Sequence, residues 1–150
     1  DWVPSLNTGI AVYIPEDYVE ALDVRLGLYR RVGMLRTKPD IDAFLVEVED
    51  RFGPIPEPVL NLLKTVEFKI KARAARVEKL DVGPKGIVVG FREDRFSKPD
   101  KLIAWIRANS QTLAIRPDQR LVFKRRIETD EERKKAILSL LNNLEKLAAA

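Results

Sequence analysis

Apolar positions recur along this chain in two periods, one of three to four residues and one of two. From Pro15 onward Tyr18, Leu22, Leu26, Tyr29 and Val32 fall three or four apart, while Glu16, Asp17, Arg25, Arg30 and Arg31 lie off that line. Residues so spaced share one side of an α-helix, so the pattern predicts a helix opened by Pro15 whose apolar stripe packs and whose charges stay wet. Its early acids and late arginines complement the helix dipole. A second helix is predicted from near Pro39, with Ile41, Phe44, Leu45, Val48 and Phe52 as its inner stripe. Gly53 ends it by taking a left-handed conformation, and Pro54 and Pro56 cannot continue it. A third helix follows Pro56 or Pro58, turns Val59, Leu63, Val66 and Ile70 inward, and runs to about Arg76.

Beyond Arg76 the period shortens. Val77 to Val82 and Ile87 to Phe91 read as strands, and the intervening Gly83-Pro84-Lys85-Gly86 reads as a hairpin turn. Ser97 is placed to cap a helix with Leu102, Ile103 and Ile106 inward and Trp105 at the margin. Leu113 and Ile115, a turn at Pro117-Asp118, then Leu121 and Phe123 predict a second hairpin. Thr129 and Glu132 stand at capping-box spacing and open a last helix with a seam of Ile137, Leu140, Leu141, Leu144 and Leu147. The fold class expected is α+β: a small, mainly antiparallel sheet with several packed helices. Val3 to Ile14 looks extended, so residues 1–14 are expected to form an entry segment and residues 15–150 one globular domain.

Composition removes most chemistry. The 150 residues contain no histidine and no cysteine, which excludes Ser-His and Cys-His nucleophile pairs, disulfides, and histidine or thiolate metal sites. Glu93 and Asp94 are adjacent acids near a strand end, a pattern of exposed charge more than of a hydrolytic pair. Gly83, Gly86 and Gly90 lack the lysine and hydroxyl residue that complete a phosphate loop. No apolar run approaches the roughly 20 residues that span a bilayer. Catalytic residues, metal ligands, cofactors within this chain and a membrane role are therefore not expected, and a cytoplasmic setting is. The chain begins at Asp1 rather than Met and has no charged-then-apolar leader, so it is expected to be a piece of a longer protein.

Two surfaces remain as candidates for binding. On the second helix, about 100° per residue places Glu47 and Asp50 away from the inner stripe, with Ala43 and more loosely Asp40 beside them. Such acids either solubilise the helix or receive arginines of a partner through paired hydrogen bonds. The net charge of +4 is modest, and its clusters are Lys69, Lys71, Arg73 and Arg76, then Lys124, Arg125 and Arg126. Either these are solvated faces, or Lys69, Lys71, Arg73, Lys124, Arg125 and Arg126 contact a DNA backbone. The aromatic residues mostly match core positions and do not suggest a base-stacking platform.

The segments Ile14-Pro15-Glu16-Asp17-Tyr18-Val19, Arg25-Leu26-Gly27-Leu28-Tyr29-Arg30-Arg31, Asp50-Arg51-Phe52-Gly53-Pro54-Ile55-Pro56 and Gly83-Pro84-Lys85-Gly86 resemble, in order, the C-terminal domain of the bacterial transcription-repair coupling factors. In that family the parent is an ATP-driven double-stranded DNA translocase, a hydrolase that displaces stalled RNA polymerase and recruits nucleotide-excision repair. The resemblance implies that ATP, Mg, DNA and RNA polymerase are bound by other domains, and that this one is not an enzyme. It implies an autoinhibitory role: docking on an N-terminal module similar to the excinuclease B component, in competition with the excinuclease A component. The family's acidic contacts, which precede and begin the Asp-Arg-Phe-Gly motif, carry over to Glu47 and Asp50. Two positions depart from the family pattern. Glu49 stands at an apolar position, which predicts a more acidic or slightly rotated helix, and Arg76 replaces a glycine, which predicts a differently built corner.

Overall fold

Proline and glycine set most of the boundaries at which this chain changes direction. The computed structural model describes residues 2–150, and Asp1 lies outside them. In chain order the elements are β1 (Ser5–Asn7), α1 (Leu22–Val32), α2 (Lys38–Phe52), α3 (Glu57–Ala74), β2 (Val77–Gly83), β3 (Gly86–Phe91), α4 (Pro99–Ala108), β4 (Leu113–Ile115), β5 (Leu121–Lys124) and α5 (Asp130–Ala149), with a short 3-10 turn at Arg92–Asp94. The fold is α+β. Among the described residues it has five α-helices and one five-stranded sheet of order β1-β2-β3-β5-β4, in which β1 runs parallel to β2 and every other pair is antiparallel.

The chain divides into two compact units, Ile10–Ile70 and Asp1–Gly9 with Lys71–Ala150. Ile10–Ile70 is built around Ile14, Val19, Leu28, Val32, Ile41, Phe44, Val48, Val59 and Leu63, all buried. Two tyrosines tie it together: the Tyr29 hydroxyl accepts from the Ile14 amide at 2.7 Å, and the Tyr18 hydroxyl donates to the Gly53 carbonyl at 2.8 Å. The predicted first helix is corrected here. Pro15 opens a turn, its carbonyl accepting from the amides of Tyr18 and Val19, and α1 starts only at Leu22. Because the helix begins afresh after that turn, its first turns do not continue the predicted stripe, although Tyr18, Tyr29 and Val32 lie inward as expected. Leu22 and Leu26 are 59% and 46% exposed, and Leu28 and Val32 carry the packing. Arg25, predicted to be wet, folds back to donate to the carbonyls of Val19 and Glu20.

In the other unit, β3 alternates so that Ile87, Val89 and Phe91 are buried and the residues between them are half-buried. Its neighbour β2 carries one extra residue at Glu78, between the pairs Val77↔Phe91 and Lys79↔Gly90. Without that bulge Val77 and Leu80 would face opposite sides of the strand; with it both are buried. Pro84 and Lys85 form the two-residue turn of the predicted hairpin. Gly86 is required for a reason beyond the turn: its φ is 145°, and a Cβ there would lie 2.0 Å from the Phe123 carbonyl oxygen on β5.

Three further expectations change. Ser97 does not cap α4; the N-cap is Lys98, whose ammonium has no acceptor and makes no side-chain cap bond, and Pro99 opens the helix at a position where its missing N–H costs nothing. Ile103, predicted inward, is 46% exposed. Arg76 does adopt the left-handed conformation, at φ 60°, so the corner keeps the geometry a glycine would give. The Arg76 guanidinium then donates to the Arg92 carbonyl at 3.2 Å, and the Arg92 amide to the Arg76 carbonyl at 2.8 Å. The capping box of α5 forms as predicted, and its stripe Ala136, Ile137, Leu140, Leu141 and Leu144 is buried, with Leu147 at the edge of cover.

Candidate docking surface

α2 is fixed at both ends. At its start the Thr37 hydroxyl accepts from the Asp40 amide at 3.2 Å, and Pro39 occupies the first turn. At its finish the Gly53 amide donates to the Glu49 carbonyl at 2.9 Å. Gly53 has φ 94° and ψ −169°, so it is at positive φ but extended, not in the left-handed helical region expected of it. That conformation is open to glycine almost alone, and the Tyr18 hydroxyl holds it from the side. The inner stripe is as expected, with Ile41, Phe44 and Val48 buried and Leu45 and Phe52 partly so. Glu49 is exposed on a helix whose stripe has not rotated. Together with burial, the larger cause, the Glu49 carboxylate raises the pKa of the Tyr18 hydroxyl.

The opposite side of α2 exposes Ala43, Val46, Glu47 and Asp50, with Val46 70% exposed. Positions 43, 46, 47 and 50 follow the helical repeat, so a small residue and a bare valine stand among the carboxylates. The two acids are not equivalent. Arg31, in the last turn of α1, grips both oxygens of Glu47, Nη1 to Oε2 at 2.5 Å and Nη2 to Oε1 at 2.7 Å, while its guanidinium lies 5.0 Å from the centre of the Phe44 ring. These hydrogen bonds hold the Glu47 carboxyl below its ordinary pKa and raise that of Arg31. Both side chains stay nearly half exposed. Asp50 is exposed, and among the described residues its carboxylate has no ion pair or hydrogen bond.

Arg31 is the residue that sequence reasoning misses. The apolar period places it on the wet side of α1, correctly, but nothing in a single helix's period says that the next helix turns its own wet side toward it. The usable signal is the pair Arg30-Arg31 at the end of one helix, a short link through Gly33, and acids on the next. Val46 escapes assignment for a simpler reason: it fits neither the inner stripe nor the acidic one.

The basic candidates separate. Lys69 is exposed in the unit Ile10–Ile70. Lys71 pairs with Glu145 on α5 at 3.3 Å and keeps 23% of its side chain exposed, and Arg73, though exposed, also has an interaction of its own. Glu128 precedes Glu145 by about five turns of helix, roughly 25 Å. Lys71 therefore does not join Lys124, Arg125 and Arg126, which line one groove with Pro84, Lys85 and Glu128. Glu93 and Asp94 are exposed, at φ 58° and 53°, and Glu93 faces Arg95 at 3.9 Å. The Gly83–Gly86 segment is a closed hairpin with a carbonyl against Gly86, which does not fit a phosphate cradle. Among the described residues no three His, Cys, Asp or Glu side chains gather as a metal site, and no helix is long and apolar enough to cross a membrane.

A sequence model of the TRCF domain matches residues 8–102, more than half of the chain. The chain belongs to the TRCF domain family. A transcription-repair-coupling factor of Rickettsia bellii (strain RML369-C) is 34% identical to it over 126 residues, 84% of the chain and 11% of that protein. One of Escherichia coli (strain K12) is 27% identical over 137 residues, 91% of the chain and 12% of that protein. This TRCF domain thus spans about a tenth of the length of the curated relatives it matches. A crystal structure of the C-terminal domain of transcription-repair coupling factor superposes with a TM-score of 0.78, covering 99% of this chain and 95% of that one at 20% identity. At that identity the likeness speaks for the fold, and it agrees with the α+β arrangement described above.

Proposed function

We propose that this TRCF domain is an autoinhibitory docking module of a transcription-repair coupling factor. The exposed face of α2, with Asp50, Glu47 and Ala43, receives arginines of an N-terminal module similar to the excinuclease B component and so covers the surface that the excinuclease A component must reach. The observation that carries this reading is the exposed Asp50 carboxylate, without a partner among the described residues, one helical turn from Glu47 on a helix capped at both ends. A free carboxylate on a rigid helix loses little freedom when an arginine binds it in a two-bond fork. Glu47 is available by exchange, because its pair with Arg31 is exposed and water screens such pairs. Ala43 leaves room for the approaching guanidinium.

In this reading the domain has no catalytic role. The ATP- and Mg-dependent DNA translocase, and the contacts with RNA polymerase, belong to other domains of the longer, cytoplasmic protein. Docking closes the whole protein, and a competing conformational state opens it. The deciding experiment is made in that whole protein: with Glu47→Arg and Asp50→Arg together, binding of the excinuclease A component, read by surface plasmon resonance, is expected to rise at least about tenfold, the loss of about 1.4 kcal/mol of docking energy. Binding equal to that of the unaltered protein would overturn the assignment.

A further inference from the structure

The unit Asp1–Gly9 with Lys71–Ala150 carries nineteen Lys and Arg against twelve Asp and Glu, a net charge of +7, whereas Ile10–Ile70 carries eight against eleven, a net charge of −3. All the excess positive charge therefore resides in the unit that holds the sheet. Part of it is gathered by the backbone. The Arg125 amide donates to the Lys85 carbonyl and the Ile127 amide to the Pro84 carbonyl, both at 3.0 Å, which lays the segment leaving β5 alongside the β2–β3 turn. Two stretches about forty residues apart in sequence thereby line one open groove of about 540 Å³: Pro84 and Lys85 on one side, Lys124, Arg125, Arg126 and Glu128 on the other. All four cations are exposed. Arg126 pairs with Glu128 at 2.6 Å, but with those side chains 83% and 57% exposed the pair is readily exchanged.

We propose that this groove binds the phosphodiester backbone of duplex nucleic acid, without reading its bases. Four cations line the groove with one carboxylate, Glu128, and the nearby Glu132 carboxylate is held by the Glu128 and Thr129 amides, so the lining stays net positive and suits a polyanion. The groove is wide, and its charged groups are surface side chains with no buried donor aimed inward, which does not suit one small anion. Phe123, the aromatic ring beside the cluster, is partly buried with the Arg125 guanidinium 5.8 Å from its centre, so no platform is offered to the unstacked bases of a single strand. A duplex has about one charge per 1.7 Å and a condensed counterion layer whose release drives binding. An acidic peptide has neither and must be ordered on binding.

The test is fluorescence anisotropy of the 150-residue chain with a labelled duplex of mixed sequence. With four phosphate contacts, affinity is expected to fall about 100-fold between roughly 50 and 200 mM salt. Replacing Lys85, Lys124 and Arg126 together by Gln is expected to make the salt dependence shallower by about one unit of log–log slope per residue and to weaken binding at low salt by at least about tenfold. The assignment is overturned by absence of binding at low salt, by a triple variant that binds as well as the unaltered chain, by tighter binding of single strand than duplex, or by a polyglutamate peptide that displaces the duplex at equal charge. None of these outcomes depends on α2, so the groove and the docking face stand or fall separately.

Discussion

At Glu47 one carboxylate is held by two charge-assisted hydrogen bonds from a single guanidinium, and the consequence is a pH dependence of known sign. The folded pKa lies below the ordinary value of 4.5, chiefly through the Arg31 hydrogen bonds. A depressed carboxyl pKa stabilises the fold above the unfolded value, and that contribution is lost as pH falls through the folded value. In Glu47→Gln the contribution is absent at every pH. The unaltered chain is therefore expected to exceed Glu47→Gln in urea midpoint at neutral pH, with the difference shrinking to nothing well below pH 4.5. A difference independent of pH would mean that Glu47 acts through packing instead. The pair is exposed, so the effect at neutral pH is small and should shrink further in high salt.

Among the helices, sequence is sufficient wherever a local signal and the apolar period agree. α2 and α5 each carry a hydroxyl N-cap and a single unbroken stripe, and both lie where the period puts them, as does the β2–β3 hairpin with its two-residue turn. α1 departs from its period in its first turns because Pro15–Ala21 is not helical, so the stripe carried through that stretch misplaces Leu22 and Leu26, while Tyr29 and Val32 lie inward as expected. The Glu78 bulge has no local signal, since it is the cross-strand register that demands it. The candidate site divides in the same way. The outward direction of Glu47 and Asp50 is legible from one helix, whereas Arg31 and the convergence of Lys85 with Lys124–Arg126 depend on where other segments return. This difference is measurable as stability. Leu26→Gln, at a half-exposed position, is expected to cost no more than about 0.5 kcal/mol. Leu144→Ala, on the fully buried stripe of α5, is expected to cost about 2 to 5 kcal/mol. Equal costs in urea denaturation would restore to α1 the stripe that starts at Pro15.

At the scale of the molecule, charge is partitioned: the compact unit bearing the acidic face of α2 is net negative, and the one bearing the basic groove is net positive. Within the negative unit Arg31 lowers the field that an incoming arginine would meet, because it already occupies both oxygens of Glu47. If docking proceeds as proposed, Arg31 competes with the partner for the same carboxylate. Arg31→Met keeps an unbranched side chain that can still cover the Phe44 ring, but it leaves Glu47 and Asp50 both unpaired and takes the unit from −3 to −4. In the whole protein that change is expected to tighten docking, and the excinuclease A component should bind at least about threefold more weakly, a difference near 0.65 kcal/mol. Added salt should reduce the effect, since complementary charge acts largely on the rate of encounter. The opposite result, stronger binding of the excinuclease A component, would mean that Arg31 positions Glu47 for its partner instead of withholding it. Double variants separate the two cases: if Arg31 withholds Glu47, the effect of Arg31→Met shrinks once Glu47 is Gln, leaving only its salt-screened long-range part, yet is retained once Asp50 is Asn.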